Sequence, residues 1–265
     1  MLELQNITKV FYPGTVNEKI ALDDLSLTLN DGDFVTVIGG NGAGKSTMQN
    51  IISGVFRPEK GKILIDGTDV TALPEYKRAK YLGRVFQDPS MGTAADMQIE
   101  ENLALASRRG KRRTLRSGIT KREREEYKRL LSELDLGLES RMTAKVGLLS
   151  GGQRQALTLL MASLNHPKLL LLDEHTAALD PKTAAKVLEI TQRIVENDHL
   201  TTLMITHNMK DAIAYGNRLI MLHEGRIIID VSGEEKKNLT VEDLLTLFNK
   251  ASGTVFANDR AILSD

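Results

Sequence analysis

Four glycines precede a lysine and two hydroxyl side chains in the stretch Gly39-Gly40-Asn41-Gly42-Ala43-Gly44-Lys45-Ser46-Thr47, directly after the apolar run 34–38. Glycines at this spacing let backbone N–H groups turn inward around a polyphosphate with no Cβ in the way. A helix opening over 46–53 adds its N-terminal dipole and unpaired amides to the positive potential there. Lys45 supplies a full charge. The chemistry is binding of a nucleoside triphosphate, and this loop alone serves kinases, GTPases and motor ATPases equally well.

A second group of residues could act on such a ligand. Asp173-Glu174 ends the run Leu169-Leu170-Leu171-Leu172, which has no polar alternation and reads as a strand buried on both faces. Two carboxylates therefore emerge at the carboxyl edge of a sheet, where doubly wound folds bind ligands. Asp173 suits Mg²⁺, directly or through water, because hard oxygen ligands match that ion. Glu174 suits accepting a proton from an attacking water, or orienting it. At Leu149-Ser150-Gly151-Gly152-Gln153-Arg154-Gln155 another glycine turn opens a helix and again presents amides and a hydroxyl to an anion. One site does not need two such loops, so the second would complete the site of another copy of the chain, in a head-to-tail pair with two nucleotides.

The elements that must position these residues follow from periodicity. Residues 2–9, 20–22 and 25–29 suggest antiparallel strands around a polar loop at 13–18, with Phe11 and Tyr12 just ahead of it. A short strand at 61–67, a short helix at 74–80 and a core strand at 82–86 ending in Gln87 come next. Residues 99–147 are charged and helical in pattern, with Leu130, Leu131, Leu134, Leu136 and Leu138 as an apolar stripe. After Gly152 strands and helices alternate: helix 153–165, strand 168–172, helix 181–197, strand 201–205 and helix 208–215. This implies right-handed crossovers and a largely parallel sheet. A hairpin at 218–222 and 226–230 and a helix at 241–250 close the chain.

Composition narrows the classes. At 265 residues, one large α/β domain with a helical insertion is expected. Thirty-five basic and thirty-five acidic side chains cancel, so any basic surface must be local, as in Arg108-Arg109-Gly110-Lys111-Arg112-Arg113 and Lys121-Arg122-Glu123-Arg124. The absence of cysteine excludes disulfides, thiolate metal sites and a cysteine nucleophile. No apolar run approaches membrane-spanning length, and Glu3 sits where a secretory signal needs a basic start.

Taken together, residues 39–47, Gln87, 150–155, 169–174 and His207 resemble the nucleotide-binding subunit of an ABC transporter. The resemblance covers residues 2–230 and implies a P-loop NTPase: an α/β fold with a mostly parallel sheet core, an N-terminal antiparallel β region and a helical subdomain. The whole chain, 1–265, would be one ABC ATPase domain. The helical subdomain, near 88–165, would be inserted in a RecA-like core, with a C-terminal helical extension over 235–265.

The ligands implied are ATP and Mg²⁺. Lys45 would contact the β- and γ-phosphates, with Gly39, Asn41, Gly42, Gly44 and Thr47 around them. Ser46, Gln87 and Asp173 would hold Mg²⁺, Glu174 would activate water, and His207 would sense the γ-phosphate. Phe11 would stack on adenine, with Tyr12 as the alternative. Ser150, Gly151 and Gly152 would reach the nucleotide of the opposite protomer, and Asp180 in the loop 177–180 would link the two sites. Many relatives carry serine at the position of Ala177 and proline at that of His175, so hydrogen bonds of that loop's first side chain are not carried over.

The implied partners are a transmembrane permease, docked near Gln87 and the segment 88–97, and a separate solute-binding protein. A second copy of the chain would join on ATP binding. The chain would lie on the cytoplasmic face of the membrane. The wording of 173–180 is similar to a bacterial group linked to uptake of tryptophan or tyrosine. The competing reading is a soluble nucleic-acid-associated ABC ATPase using Arg108 to Arg124. Such proteins usually carry a duplicated cassette or a long coiled coil, neither of which is visible, so no nucleic acid is expected.

Overall fold

The computed structural model describes residues 1–111 and 118–252. Along the chain run β1 Leu2–Phe11, β2 Lys19–Leu29, β3 Phe34–Ile38, α1 Lys45–Ser53, β4 Lys60–Ile65, β5 Thr68–Asp69, α2 Glu75–Arg78 and β6 Leu82–Val85. There follow α3 Ile99–Ser107, α4 Lys121–Ser132, α5 Gly151–Ser163, β7 Leu169–Asp173, α6 Pro181–Asn197, β8 Thr202–Ile205, α7 Met209–Ala214, β9 Arg218–His223, β10 Arg226–Ser232, α8 Gly233–Lys237 and α9 Val241–Ser252. Among the described residues no helix is long and apolar enough to cross a membrane. Two compact units divide the chain: Met1–Arg78 with the residues from His199 onward, and Ala79–Asp198.

In the first unit an antiparallel sheet of order β2-β1-β4-β5 buries Leu2, Leu4, Ile7, Leu27, Leu29, Ile63 and Ile65. The two short strands expected at 20–22 and 25–29 are one strand. Its alternation breaks at Asp24, which is left-handed (φ 51°) like Asn6 (φ 51°) on β1, and Asn6 Nδ2 donates to Asp24 Oδ1 at 3.0 Å. Such an irregularity shifts the side-chain period and hides the strand from a period-two reading. In the same unit β3 lies between β8 and β9, parallel to both, and β10 pairs antiparallel with β9. All five residues of β3 are buried, as a central parallel strand requires. Helix α9 covers β9 and β10 through Leu244 and Phe248, which pack with Met221, Ile229 and Val231.

The first unit also buries a cation. Arg78 is 0% exposed; its Nη1 donates to Ile51 O and Ile52 O at 2.7 and 2.9 Å, its Nε to Leu73 O at 2.9 Å and its Nη2 to Thr71 O at 3.0 Å. It thus satisfies carbonyls at the C-terminal end of α1, where the helix dipole favours positive charge. Burial, aided by the nearby Arg57 charge, pulls its pKa down to about 10, so the guanidinium stays charged at neutral pH. Arg78→Met keeps the stem and strands four carbonyls. Urea unfolding should show a loss of about 2–4 kcal/mol, and a loss below about 0.5 kcal/mol would rule out this capping role.

In the second unit β6 and β7 are parallel, with Leu82 opposite Leu169 and Val85 opposite Leu172. Helix α5 packs against β6 so closely that a Cβ on Gly83 would lie 2.5 Å from Ala162 O. The leucine stripe of the helical region is shared among several elements. Leu131 belongs to α4, but the chain turns left-handed at Asp135 (φ 57°) and Gly137 (φ 71°), so Leu134 and Leu138 reach the core from a turn and a 3-10 turn. In the first unit, the short helix α8 falls between β10 and the helix expected at 241–250, over the start of the extension expected at 235–265. Its Lys236 is buried, with Nζ donating to Tyr215 O and to Gly216 O at 2.8 Å just past α7, and burial lowers its pKa to about 8.

Three arginines of the basic segment are bonded inside the second unit. Arg108 donates to Ala104 O (2.7 Å), Gly118 O (2.7 Å) and Glu123 Oε1 (2.9 Å), and Arg109 to Ala162 O at 2.9 Å. Arg124 makes a bidentate pair with the buried Glu100 at 2.7 and 2.8 Å. Arg112 and Arg113 lie outside the described residues, as do positions 253–265 of the expected C-terminal extension.

Candidate functional site

The glycine loop leaves the carboxyl end of β3 and enters α1 at Lys45. Gly39, Gly42 and Gly44 have φ of 149°, 79° and 105°, values that side chains with a Cβ rarely adopt. Space excludes larger residues too: a Cβ on Gly39 would lie 2.3 Å from Leu222 O, and one on Gly44 2.6 Å from Ala21 O. The loop is held from outside, since Gly225 N donates to Ala43 O at 3.0 Å and Asp23 N to Gly225 O at 3.1 Å. Helix α1 has no side-chain cap and no acidic residue in its first turn, which leaves its amide end open to an anion.

Lys45 is 5% exposed, and its Nζ donates to Gly39 O at 2.6 Å and Gly40 O at 3.2 Å, so the ammonium is folded back over the loop. Asn41, Gly42 and Ser46 are exposed and Thr47 is half-buried. His207 is exposed just past β8; that edge joins β3 because Thr206 N donates to Val37 O at 3.1 Å. The first unit therefore brings residues 39–47 and His207 to the carboxyl ends of two adjacent parallel strands.

Phe11 ends β1 and is partly exposed. Its ring meets Phe56 edge-on at 5.3 Å, with Lys9 Nζ 5.4 Å from its centroid. Tyr12 is 69% exposed with φ 53°. Lys19 pairs with Phe11 across the strands and places its Nζ 3.3 Å from where a Gly42 Cβ would stand. A lysine after a polar loop carries no signal of its own.

The other singled-out residues belong to the second unit. Asp173, 18% exposed, closes β7 with the half-buried Glu174 just past it, and Gln87 is exposed just past the neighbouring β6. Arg84 Nη2 lies 3.9 Å from Asp173 Oδ2, and its guanidinium covers the Phe86 ring at 4.6 Å. Glu174 is left-handed (φ 46°), and the adjoining His175 is fully buried with a pKa lowered by that burial to about 4, so its imidazole is neutral at physiological pH. Gln155, another residue the sequence reading left unassigned, is buried on α5 and donates from Nε2 to Phe86 O at 3.2 Å, next to Gln87. A polar residue one helical turn before Leu159, on the apolar face, was its available signal.

At the start of α5, Ser150 Oγ accepts from Gln153 N at 3.3 Å while Gln153 Oε1 accepts from Ser150 N at 3.2 Å. This capping box fixes the turn and leaves Ser150 and Gly151 exposed. Gly152 has no room for more, because a Cβ would lie 2.1 Å from Thr183 Cγ2 at the start of α6. Asp180 caps α6 by accepting from Thr183 N at 3.1 Å, and these bonds keep its carboxyl below the usual range.

The residues present fit the expected ligands. A cradle from which Cβ atoms are excluded, an open helix terminus and an adjacent ammonium suit a polyphosphate. A serine hydroxyl, a glutamine amide and a carboxylate are hard oxygen donors of the kind Mg²⁺ takes.

Comparison with known proteins agrees. Residues 22–177 match the family described as ABC transporter. The chain is 48% identical to a tyrosine transport ATP-binding protein of Clostridioides difficile, over 95% of this chain and 100% of that one. It is 34% identical to the ABC transporter ATP-binding protein YxdL of Bacillus subtilis, over 98% and 96%. Its fold superposes with a TM-score of 0.74 on a dimeric ATP-binding cassette, MJ0796, in a post-hydrolysis state with ADP and Pi; that structure is 31% identical and the match covers 88% of this chain and 98% of that one. On its motifs, its P-loop fold and these matches, the chain belongs to the ABC transporter family of ATP-binding subunits.

Proposed function

We propose that this chain binds and hydrolyses ATP with Mg²⁺, and that two copies close head-to-tail on ATP to drive solute uptake through a separate permease. The observation that carries the proposal is the cradle at residues 39–47, built only for glycine and flanked by the folded-back Lys45. In it, Lys45 binds the β- and γ-phosphates, with Gly39, Asn41, Gly42, Gly44 and Thr47 around them, and Phe11 stacks on the base. Ser46, Gln87 and Asp173 hold Mg²⁺, which offsets the charge of the triphosphate. Glu174 orients and deprotonates water, and His207 reads the γ-phosphate. Ser150, Gly151 and Gly152 at the start of α5 reach the nucleotide of the second copy, and Asp180 links the two sites. The chain acts as one ATPase domain on the cytoplasmic face of the membrane, with a solute-binding protein in the same system.

The cargo is an aromatic amino acid of the tyrosine or tryptophan type. The support is 48% identity to the tyrosine transport relative over that protein's whole length. Affinity purification of the tagged chain from gently solubilised native membranes, read by mass spectrometry, tests the assembly. Recovery of a multi-spanning permease is the expected result, with loss of labelled tyrosine or tryptophan uptake on deletion. Recovery only of ribosomal or DNA-bound material would move the chain to the nucleic-acid reading.

A further inference from the structure

The loop that begins at Glu174 is tied at both ends to α6. Glu174 has a left-handed backbone, a conformation that is strained for a non-glycine residue and persists only where its surroundings hold it. The next residue, His175, is 2% exposed, and its Nε2 lies 3.0 Å from Thr191 Oγ1, well inside α6. Thr191 Oγ1 donates to Val187 O at 2.8 Å. A hydroxyl has a single proton, and here it is committed to that carbonyl, so His175 is the donor and its imidazole carries the proton on Nε2.

At the other end Asp180 caps the same helix through Thr183 N, and Ala184 N donates to Asp180 O at 2.8 Å. Between these anchors Ala177 N donates to Glu174 O at 3.0 Å and Leu179 N to Thr176 O at 3.1 Å. The carbonyl of Glu174 is thereby fixed from within the loop, and the residue after it from the helix.

We propose that His175 is a positioning residue for ATP hydrolysis: its Nε2–H bond to Thr191 holds Glu174 in its left-handed conformation and so aims the carboxylate that serves the attacking water. The inference rests on the role of Glu174 given above. His175 touches no reacting atom. Losing its bond displaces the Glu174 carboxylate while leaving the phosphate cradle intact, so catalysis falls and ATP binding does not.

The test compares His175→Met, which fills similar space without a donor, with His175→Gln, whose amide can reach Thr191, and Thr191→Val with Thr191→Ser. All are made in the full-length chain, with ATP and Mg²⁺ as the probe. His175→Met and Thr191→Val should each lower kcat about tenfold or more, with KM for ATP within about twofold of the parent. His175→Gln and Thr191→Ser should recover most of the loss. Nitrogen-15 spectra of the parent chain should show a neutral, Nε2-protonated His175 whose proton exchanges slowly, and faster exchange in Thr191→Val.

If His175→Met does not fold, the Thr191 pair and the spectra decide alone. An unchanged kcat in folded variants, a parallel rise in KM, equal losses in the donor and non-donor variants, or an Nδ1-protonated ring would each overturn the proposal. A parent chain that binds ATP and Mg²⁺ and never hydrolyses it would overturn the ATPase reading itself, and this inference with it.

Discussion

Glu174→Gln should abolish turnover and leave the chain able to bind ATP. The substitution keeps volume and shape, and the φ of 46° at this position belongs to the loop and not to the charge. What it removes is the basicity needed to take a proton from water, a contribution of about 10²–10⁴ in rate. Binding is expected to persist because the phosphate cradle and Lys45 are untouched. A nucleotide that is bound but not cleaved should accumulate the closed pair of chains. Size-exclusion chromatography with light scattering at saturating ATP and Mg²⁺ should therefore show a dimer in the variant. Only monomer under those conditions, or turnover within about tenfold of the parent, would remove Glu174 from the role of general base.

Much of the fold was legible because the period of burial changed cleanly along the chain. The four leucines of β7 and the apolar β3 are buried on both faces and read as central parallel strands. Helix α6, expected at 181–197, begins at a proline after an aspartate cap and has those bounds. The hairpin of β9 and β10 was marked by His223-Glu224-Gly225. Where reading failed, a left-handed residue without glycine's signature intervened: Asn6 and Asp24 in the β1–β2 pair, Asp135 beyond α4. Short polar side chains enter that region through local hydrogen bonds that no periodicity reveals.

The candidate site was legible in a different way. Its glycines declare themselves, since only they satisfy positive φ together with the approach of Leu222 O and Ala21 O. The residues that hold the site in shape do not. His175 and Gln155 are polar residues in buried places, and their meaning lies in partners 16 and 69 positions away in sequence. The basic segment adds a case of its own, for Arg108, Arg109 and Arg124 bond within their own unit, and composition does not tell such arginines from surface charge. Chemistry that uses backbone amides and glycine was visible, and chemistry that depends on long-range hydrogen bonds was not.

Lys45→Ala should lose nucleotide binding while the protein stays folded. Its ammonium now bonds Gly39 O and Gly40 O from a nearly buried position, so it is already desolvated and oriented before ATP arrives. Turning from carbonyls to phosphate oxygens exchanges neutral acceptors for charged ones, and charge-assisted hydrogen bonds contribute about 1.5–3 kcal/mol each. Two such bonds correspond to at least about a hundredfold in affinity. Alanine favours the helix that begins at this position, so α1 and its buried Met48, Ile51 and Ile52 remain in place. Titration calorimetry with ATP and Mg²⁺ should show the loss, and urea unfolding without nucleotide should show a midpoint near that of the parent. Undiminished affinity in the folded variant would mean that the amide cradle alone holds the phosphates. In that case the lysine's bonds to Gly39 and Gly40 would be its whole purpose, a brace for the loop, and the phosphate-binding assignment of its side chain would fall.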